Sequence, residues 1–231
     1  MIGFKINSSF LRIFLLLFVV KGYVFAQEFQ PKHTFNLELG LPNSFSNKAF
    51  NDVMQGLVQV EPYYQYAFKN GIIAGIGVGY QYMGINEFKV PVKTDGGLHS
   101  GRAFLKVGYE RFVTKNFAFD VALKLGYSAN YFKTTINDTL LGQAFQQNSM
   151  YIAPTIGLIL KADEVSSYRL FFGYSFQDFN FNLSMLGIQT NGGYSSTELN
   201  RISTILTVGF GYTHYFGFTR MAEPDDFRDE L

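Results

Sequence analysis

The sequence contains no cysteine and no tryptophan. An exported chain without thiols has neither a disulfide framework nor a thiolate metal site. Charge is scarce as well: only 16% of the residues are charged, with 19 basic against 18 acidic. That balance leaves no basic excess for nucleic acid or for an anionic lipid surface. A long apolar run is also missing. The stretch from Ile13 to Val20 is ended by Lys21 and falls far short of the ~20 residues a spanning helix needs.

The same short run follows Lys5 and Arg12 and precedes Val24-Phe25-Ala26, which sets small residues at the positions a signal peptidase reads. Residues 1–26 therefore predict a cleaved signal peptide. Removing 26 of the 231 residues leaves 205, a length suited to one domain. Without Lys5, Arg12 and Lys21 the mature chain carries 16 basic against 18 acidic residues.

What is abundant is aromatic and small: 26 Phe, 15 Tyr and 23 Gly. That mixture suits a closed sheet whose outside meets lipid and whose inside is narrow. Eight segments of alternating polarity bear this out: 34–42, 57–68, 72–83, 102–113, 117–128, 150–161, 168–177 and 201–216. In 117–128, Phe117, Phe119, Val121, Leu123, Leu125 and Tyr127 share one face, while Ala118, Asp120, Ala122, Lys124, Gly126 and Ser128 share the other. Successive strand side chains point to opposite faces, so such a division is geometric. The connections are alternately long and short, with Lys69-Asn70-Gly71 and Thr114-Lys115-Asn116 as tight turns. An up-and-down meander with both termini on one side produces that alternation. Pro62 and Pro154 interrupt two strands, and a bulge is expected at each, since proline removes a ladder donor.

A soluble lipocalin-like barrel would alternate in the same way with its faces reversed. The polar face here is mostly Gly, Ser, Thr, Ala and Gln, unlike the charged covering of a soluble surface. The apolar face carries aromatics near both ends, with Tyr66, Phe68, Phe117 and Phe216 toward the turns and Tyr80, Tyr82, Tyr127 and Tyr174 toward the loops, as interfacial girdles require. The expected fold is thus an all-β, eight-stranded antiparallel up-and-down transmembrane barrel spanning 27–216, followed by a short acidic tail, 217–231.

Signal peptide, eight strands, alternating links and the closing run Gly209-Phe210-Gly211-Tyr212-Thr213-His214-Tyr215-Phe216 together resemble the OmpA/OmpX-like small outer-membrane β-barrel superfamily. The resemblance implies a Gram-negative outer membrane, with short turns and both termini periplasmic and long loops extracellular. It also implies that Phe210, Tyr212 and Phe216 are the signal read by the barrel-assembly machinery. Outer-membrane lipid is then an obligatory partner. The superfamily includes anchors and accessory subunits, narrow pores and lipid-modifying enzymes, and fold alone does not choose among them.

Ten charges face inward in this reading: Glu38, Glu61, Glu110 and Asp120 against Arg102, Lys106, Lys124, Lys161, Arg169 and Arg201. A hairpin centred on Lys115 sets Lys106 opposite Lys124 and Glu110 opposite Asp120, an arrangement that needs compensation from neighbours. Eight strands leave room only for side chains, so an interleaved ion-pair network plugging the lumen is expected, with a proton or ion path as the sharper alternative. His99-Ser100 is the only pair placed where a lipid-modifying enzyme would carry its chemistry, and no third group is identifiable. No metal-ligand spacing, phosphate loop or nucleophile elbow is present, so no cofactor is expected. Asn137-Asp138-Thr139 and Asn182-Leu183-Ser184 match glycosylation sequons. In the last long loop Phe179, Phe181, Leu183 and Met185 form an apolar ridge just where the strand should leave the membrane. Such a ridge either packs against Ile85, Phe88 and Val90 to cap the mouth or stays exposed to bind an envelope protein. The expectation is a non-enzymatic barrel whose loops or tail meet a partner.

Overall fold

The computed structural model describes residues 33–190 and 192–216. The expected signal peptide and acidic tail lie outside the described residues. Eight strands follow in order: β1 (His33–Ser44), β2 (Met54–Ala67), β3 (Ile72–Ile85), β4 (Gly96–Phe112), β5 (Phe117–Thr134), β6 (Phe145–Lys161), β7 (Ser166–Asn180) and β8 (Ile202–Phe216). Each pairs antiparallel with its neighbour, and β1 closes on β8 from His33↔Phe216 to Ser44↔Ile205. Closure follows from the outer surface. The outward positions are apolar, Leu39, Ile76, Val78, Leu105, Leu125 and Phe210 among them, and a sheet edge open to hydrocarbon would leave backbone donors unpaired.

The inward register is the expected one, with Lys106 opposite Lys124 and Glu110 opposite Asp120. Three features differ from the sequence reading. Several strands run further toward the long-loop end: β4 starts at Gly96, β5 continues to Thr134 and β6 starts at Phe145. The pairing of β4 with β5 persists up to Gly96↔Thr134, so the sheet stays paired at the long-loop end instead of breaking into loop.

Neither proline makes a bulge. At Pro62 the β2–β3 ladder lapses between Val60↔Tyr80 and Tyr63↔Gly77 and resumes in the same register; at Pro154 the β6–β7 ladder does likewise between Ile152↔Phe176 and Thr155↔Gly173. Losing one donor thus interrupts a ladder locally without inserting a residue, because the partner strand on the other side holds each proline in step, as Leu37↔Pro62 and Leu123↔Pro154. The register shifts fall elsewhere, between Gly56 and Val58 on β2 and between Gln177 and Asn180 on β7. Glycine is required at the first, where an added Cβ would lie 1.5 Å from the Pro42 carbonyl oxygen.

The third difference is the core above the barrel. Phe179, Phe181, Leu183 and Met185 are buried, together with Phe50, Val53, Met83, Leu98, Phe132, Leu186 and Ile205. Ile85 and Val90 pack against this cluster, whereas Phe88 is 98% exposed.

Candidate functional site: a plugged lumen beneath a latched cap

Strand parity directs eight of the ten candidate charges into the lumen, where they form one connected network. Lys124 Nζ donates to Glu38 at 2.7 Å and to Glu61 at 2.6 Å. Lys106 Nζ donates to Asp120 at 3.1 Å, and Arg102 Nη1 to Glu61 at 3.2 Å. Arg169 reaches Asp120 at 2.7 Å and Glu110 at 3.5 Å, with Glu38 at 3.7 Å. The two like-charge pairs across the β4–β5 hairpin are compensated in this way, Lys124 from β1 and β2, Glu110 and Asp120 by Arg169 on β7, and Lys106 by Asp120 within the hairpin.

Neutral side chains complete the plug. Tyr63 donates to Glu38 at 2.7 Å and accepts from Lys106 at 3.1 Å; Gln65 bonds both Lys106 and Glu110. The Lys124 ammonium also lies 5.1–5.8 Å from the ring centres of Tyr63, Phe104 and Phe171, so aromatic faces take up part of its field. Tyr63 follows the same inward parity as Glu61 and Gln65 and was legible on that ground. The remaining two charges lie at the ends: Lys161 sits at the short-turn rim beside Asp163 and Glu164, and Arg201 is exposed at the long-loop end.

His99 and Ser100 do not come together. His99 faces outward, its Nδ1 2.8 Å from the Tyr80 hydroxyl and its ring 4.8 Å from that of Tyr82, whereas Ser100 points into the lumen and bonds Ser128 at 2.8 Å. Adjacent strand residues point to opposite faces, so the pair cannot share a substrate. The Asn137 sequon is likewise closed. That side chain is fully buried and its amide donates to the Phe132 and Met185 carbonyls at 3.1 and 2.9 Å, leaving no route for a glycan in the folded protein.

The expected partner-binding ridge is instead the keystone of a cap. The connection 45–53, which carries the helix Lys48–Val53, is joined to 181–201 chiefly through Asn47, beside a contact of Tyr194 with Asp52. Asn47 Oδ1 accepts from Phe50 N–H as the helix N-cap, while its Nδ2 donates to the carbonyls of Phe181, Leu199 and Arg201 at 3.0–3.1 Å. Thr134 and Asn137 tie the connection after β5 to Leu186 and Met185, and Asn86 N–H ties the connection after β3 to the Val53 carbonyl. All four long connections therefore enclose one apolar core. Sequence reading missed Asn47 and Asn137 as latches because their acceptors are backbone carbonyls up to 154 positions away.

On the cap's surface Lys48 pairs with Glu198 at 3.0 Å. The carboxyl of Glu198 is held down to about 2, first by the Ser195 N–H of its capping box and then by Lys48, so this outer clasp stays ionised at any physiological pH. An open groove of about 440 Å³ runs between Val92 and Lys93, the helix Thr135–Leu141, and Gly187 to Thr190.

Asn47→Ala is expected to loosen the cap and not the barrel, because it strands buried carbonyls at ~1–3 kcal/mol. Amide exchange should quicken in 45–53 and 181–201 while heat-modifiable gel mobility is kept. Unchanged exchange in both segments would mean that the latch is idle.

An eight-stranded meander that is closed, apolar outside and ionically filled inside is a transmembrane barrel of the outer-membrane class. No family model and no curated protein matches the chain. Among solved structures, Neisserial surface protein A superposes with a TM-score of 0.51 at 12% identity, over 80% of this chain and 97% of that one. Ail, the attachment invasion locus protein of Yersinia pestis, gives 0.46 at 12% identity over 80% and 99%, and the N-terminal barrel domain of Pseudomonas aeruginosa OprF gives 0.44 at 12% over 80% and 99%. The likeness is one of fold: this chain has the architecture of the OmpA/OmpX-like small outer-membrane barrels.

Proposed function

We propose that the protein is a non-enzymatic anchor in the outer membrane of a Gram-negative bacterium, presenting its four long connections outside the cell as one preformed platform for an envelope partner. The observation that carries this reading is the cap: the long connections share a buried apolar core and are latched to one another. A rigid surface loses little conformational entropy on association, which favours recognition. On this reading the short turns and both termini are periplasmic, and Phe210, Tyr212 and Phe216, all outward on β8, guide insertion by the assembly machinery.

Since the ridge Phe179–Met185 is internal, partner contact falls to apolar side chains that the cap leaves outside. Phe88 is 98% exposed, and Val92 and Leu140 are half-exposed at the groove. Phe88→Ser combined with Leu140→Ser should abolish co-purification of a partner from mildly solubilised membranes, with heat-modifiable mobility intact. Retention of every co-purifying protein would sink the platform reading.

The plugged lumen argues against the pore alternative. In planar bilayers the purified protein should show no large steady conductance, because Lys106, Lys124, Tyr63 and Phe104 are buried inside the barrel and eight strands leave room only for side chains. Reproducible porin-sized channels would contradict it.

A further inference from the structure

The wall splits at its long-loop end between β6 and β7. Pairing of these two strands stops at Tyr151↔Gln177, whereas β6 stays paired with β5 as far as Phe132↔Phe145. The cause lies on β7. Gln177 pairs with Ser203 but Asn180 with Ile202, so Asp178 and Phe179 are extra residues in the β7–β8 ladder. Such a bulge bends its strand. Phe179 is buried in the cap core, so β7 ends in the cap while β6 continues with β5 alone.

Residues 145–150 therefore form a sheet edge. In an antiparallel ladder the N–H and C=O of one residue face the same flank, and successive residues alternate. Lys161 N–H bonds Asn116 on the β5 side, and Ala162 N–H bonds Ser166 on the β7 side. Even-numbered positions of β6 thus face β7, as Pro154 does where it interrupts that ladder alone. Gln146 and Asn148 turn their backbone groups to the open flank by the same rule. Among the described residues no backbone group of another segment meets them there, and only the Gln147 side chain covers the Asn148 carbonyl, at 3.1 Å. A comparable split lies between β1 and β2, whose pairing ends at Gly40↔Gln59. That one is closed by the chain itself: Ser44 Oγ donates to the Met54 carbonyl at 3.3 Å, and Gly56 lies against Pro42.

Bare edges are normally blunted by lysine, proline or a bulge, and Phe145-Gln146-Gln147-Asn148-Ser149-Met150 has none of these. The edge also lies clear of hydrocarbon, where open backbone groups are not tolerated. Met150 is opposite Tyr127 of the loop-end girdle, and Phe145 packs against the cap core. Resting on the platform reading above, we infer that a partner polypeptide adds an extended, basic segment to this edge as a further strand antiparallel to β6. Main-chain bonds supply affinity in such strand addition. Charge selects the segment: the lips of the opening, 145–150 and 178–180, carry one charged residue, the exposed Asp178. A second copy in the same bilayer does not serve, because it holds β6 in the same up-down sense and the two edges cannot pair antiparallel.

The test uses the folded chain in lipid nanodiscs and reads backbone amide exchange residue by residue, first alone and then with a synthetic hexapeptide of alternating lysine, valine and threonine. Alone, Gln146 and Asn148 should exchange fast between slow Gln147 and Ser149, whose N–H groups face β5. The peptide should protect Gln146 and Asn148, and the same peptide N-methylated at alternate residues should not. Asn148→Pro removes an open-side donor while β5 holds the register, as at Pro154, so the barrel should fold and the protection of Gln146 should be lost. Asn148→Ala, which keeps the N–H, should retain it. Slow exchange of Gln146 and Asn148 in the free protein would overturn the proposal. So would peptide protection confined to the groove helix Thr135–Leu141, an outcome that leaves the platform standing. Protection of the edge should persist in the Phe88→Ser, Leu140→Ser variant, so that failure of those contacts and failure of the edge are read apart. Should N148P not fold, Asp178→Lys decides: protection by the lysine peptide should be lost, and unchanged protection would rule out the basic strand.

Discussion

Lys124→Met is expected to destabilise the barrel by ~3–5 kcal/mol, the usual penalty for removing one partner of a buried ion pair. Lys124 Nζ lies within 2.7 Å of both Glu38 and Glu61, two carboxylates that are themselves directly opposite on β1 and β2. With Lys124 gone, Glu61 keeps only Arg102 at 3.2 Å and Glu38 keeps only the more distant Arg169, at 3.7 Å, among cationic partners. Methionine fills the space between Tyr63, Phe104 and Phe171 well enough that packing loss is small, so the effect isolates charge. Denaturant unfolding in lipid vesicles, followed by heat-modifiable mobility, measures it. Adding Glu38→Gln to K124M should recover much of the loss, because it neutralises the carboxylate left with the more distant partner while Glu61 keeps Arg102. A single-variant loss under ~1 kcal/mol, typical of exposed pairs, would mean that water reaches the network freely.

The second large effect lies on the outer wall. Val78 is 57% exposed near the middle of β3, between Ile76 and Tyr80 on the same face, and an arginine there would have to place its guanidinium in hydrocarbon. Val78→Arg should therefore cost ~2–4 kcal/mol, the range for cationic residues at the midplane of such barrels. The same substitution at Phe88, 98% exposed in the connection after β3, should be almost silent, since its guanidinium would stay in water. The contrast is read in one vesicle-unfolding series. Equal tolerance at both positions would mean that β3 does not face lipid, and the barrel would have to be a water-soluble one.

These two effects map onto two kinds of information in the chain. The outer wall was legible before any coordinates because strand side chains alternate with a period of two, so polarity along a dozen residues assigns each face. Phe117 to Ser128 divided correctly on that rule alone, as did the opposition of Lys106 to Lys124 across a hairpin whose turn is short. His99 and Ser100 could have been separated by the same parity, which outranks their adjacency in sequence. The prolines were misread because a lone strand does not reveal which neighbour needs its N–H. In the closed sheet one flank of each proline stays paired and holds the register.

The alternation of polarity along each strand determined a closed eight-stranded wall, apolar outside and charged within, and the order of charges along each strand. Which acid meets which base was decided only by the tertiary structure, because partners such as Glu38 and Lys124 are 86 positions apart and face each other across the lumen. The fate of the ridge Phe179–Met185 was undecided for the same reason. Its alternating pattern is compatible with exposure or with burial, and the outcome depends on whether other loops arrive to cover it. They do, because Asn47 and Asn137 donate to the carbonyls of the ridge segment itself, at Phe181 and Met185. A backbone carbonyl is present at every residue and leaves no mark in the sequence, so contacts of that kind become visible only when the chain has closed on itself.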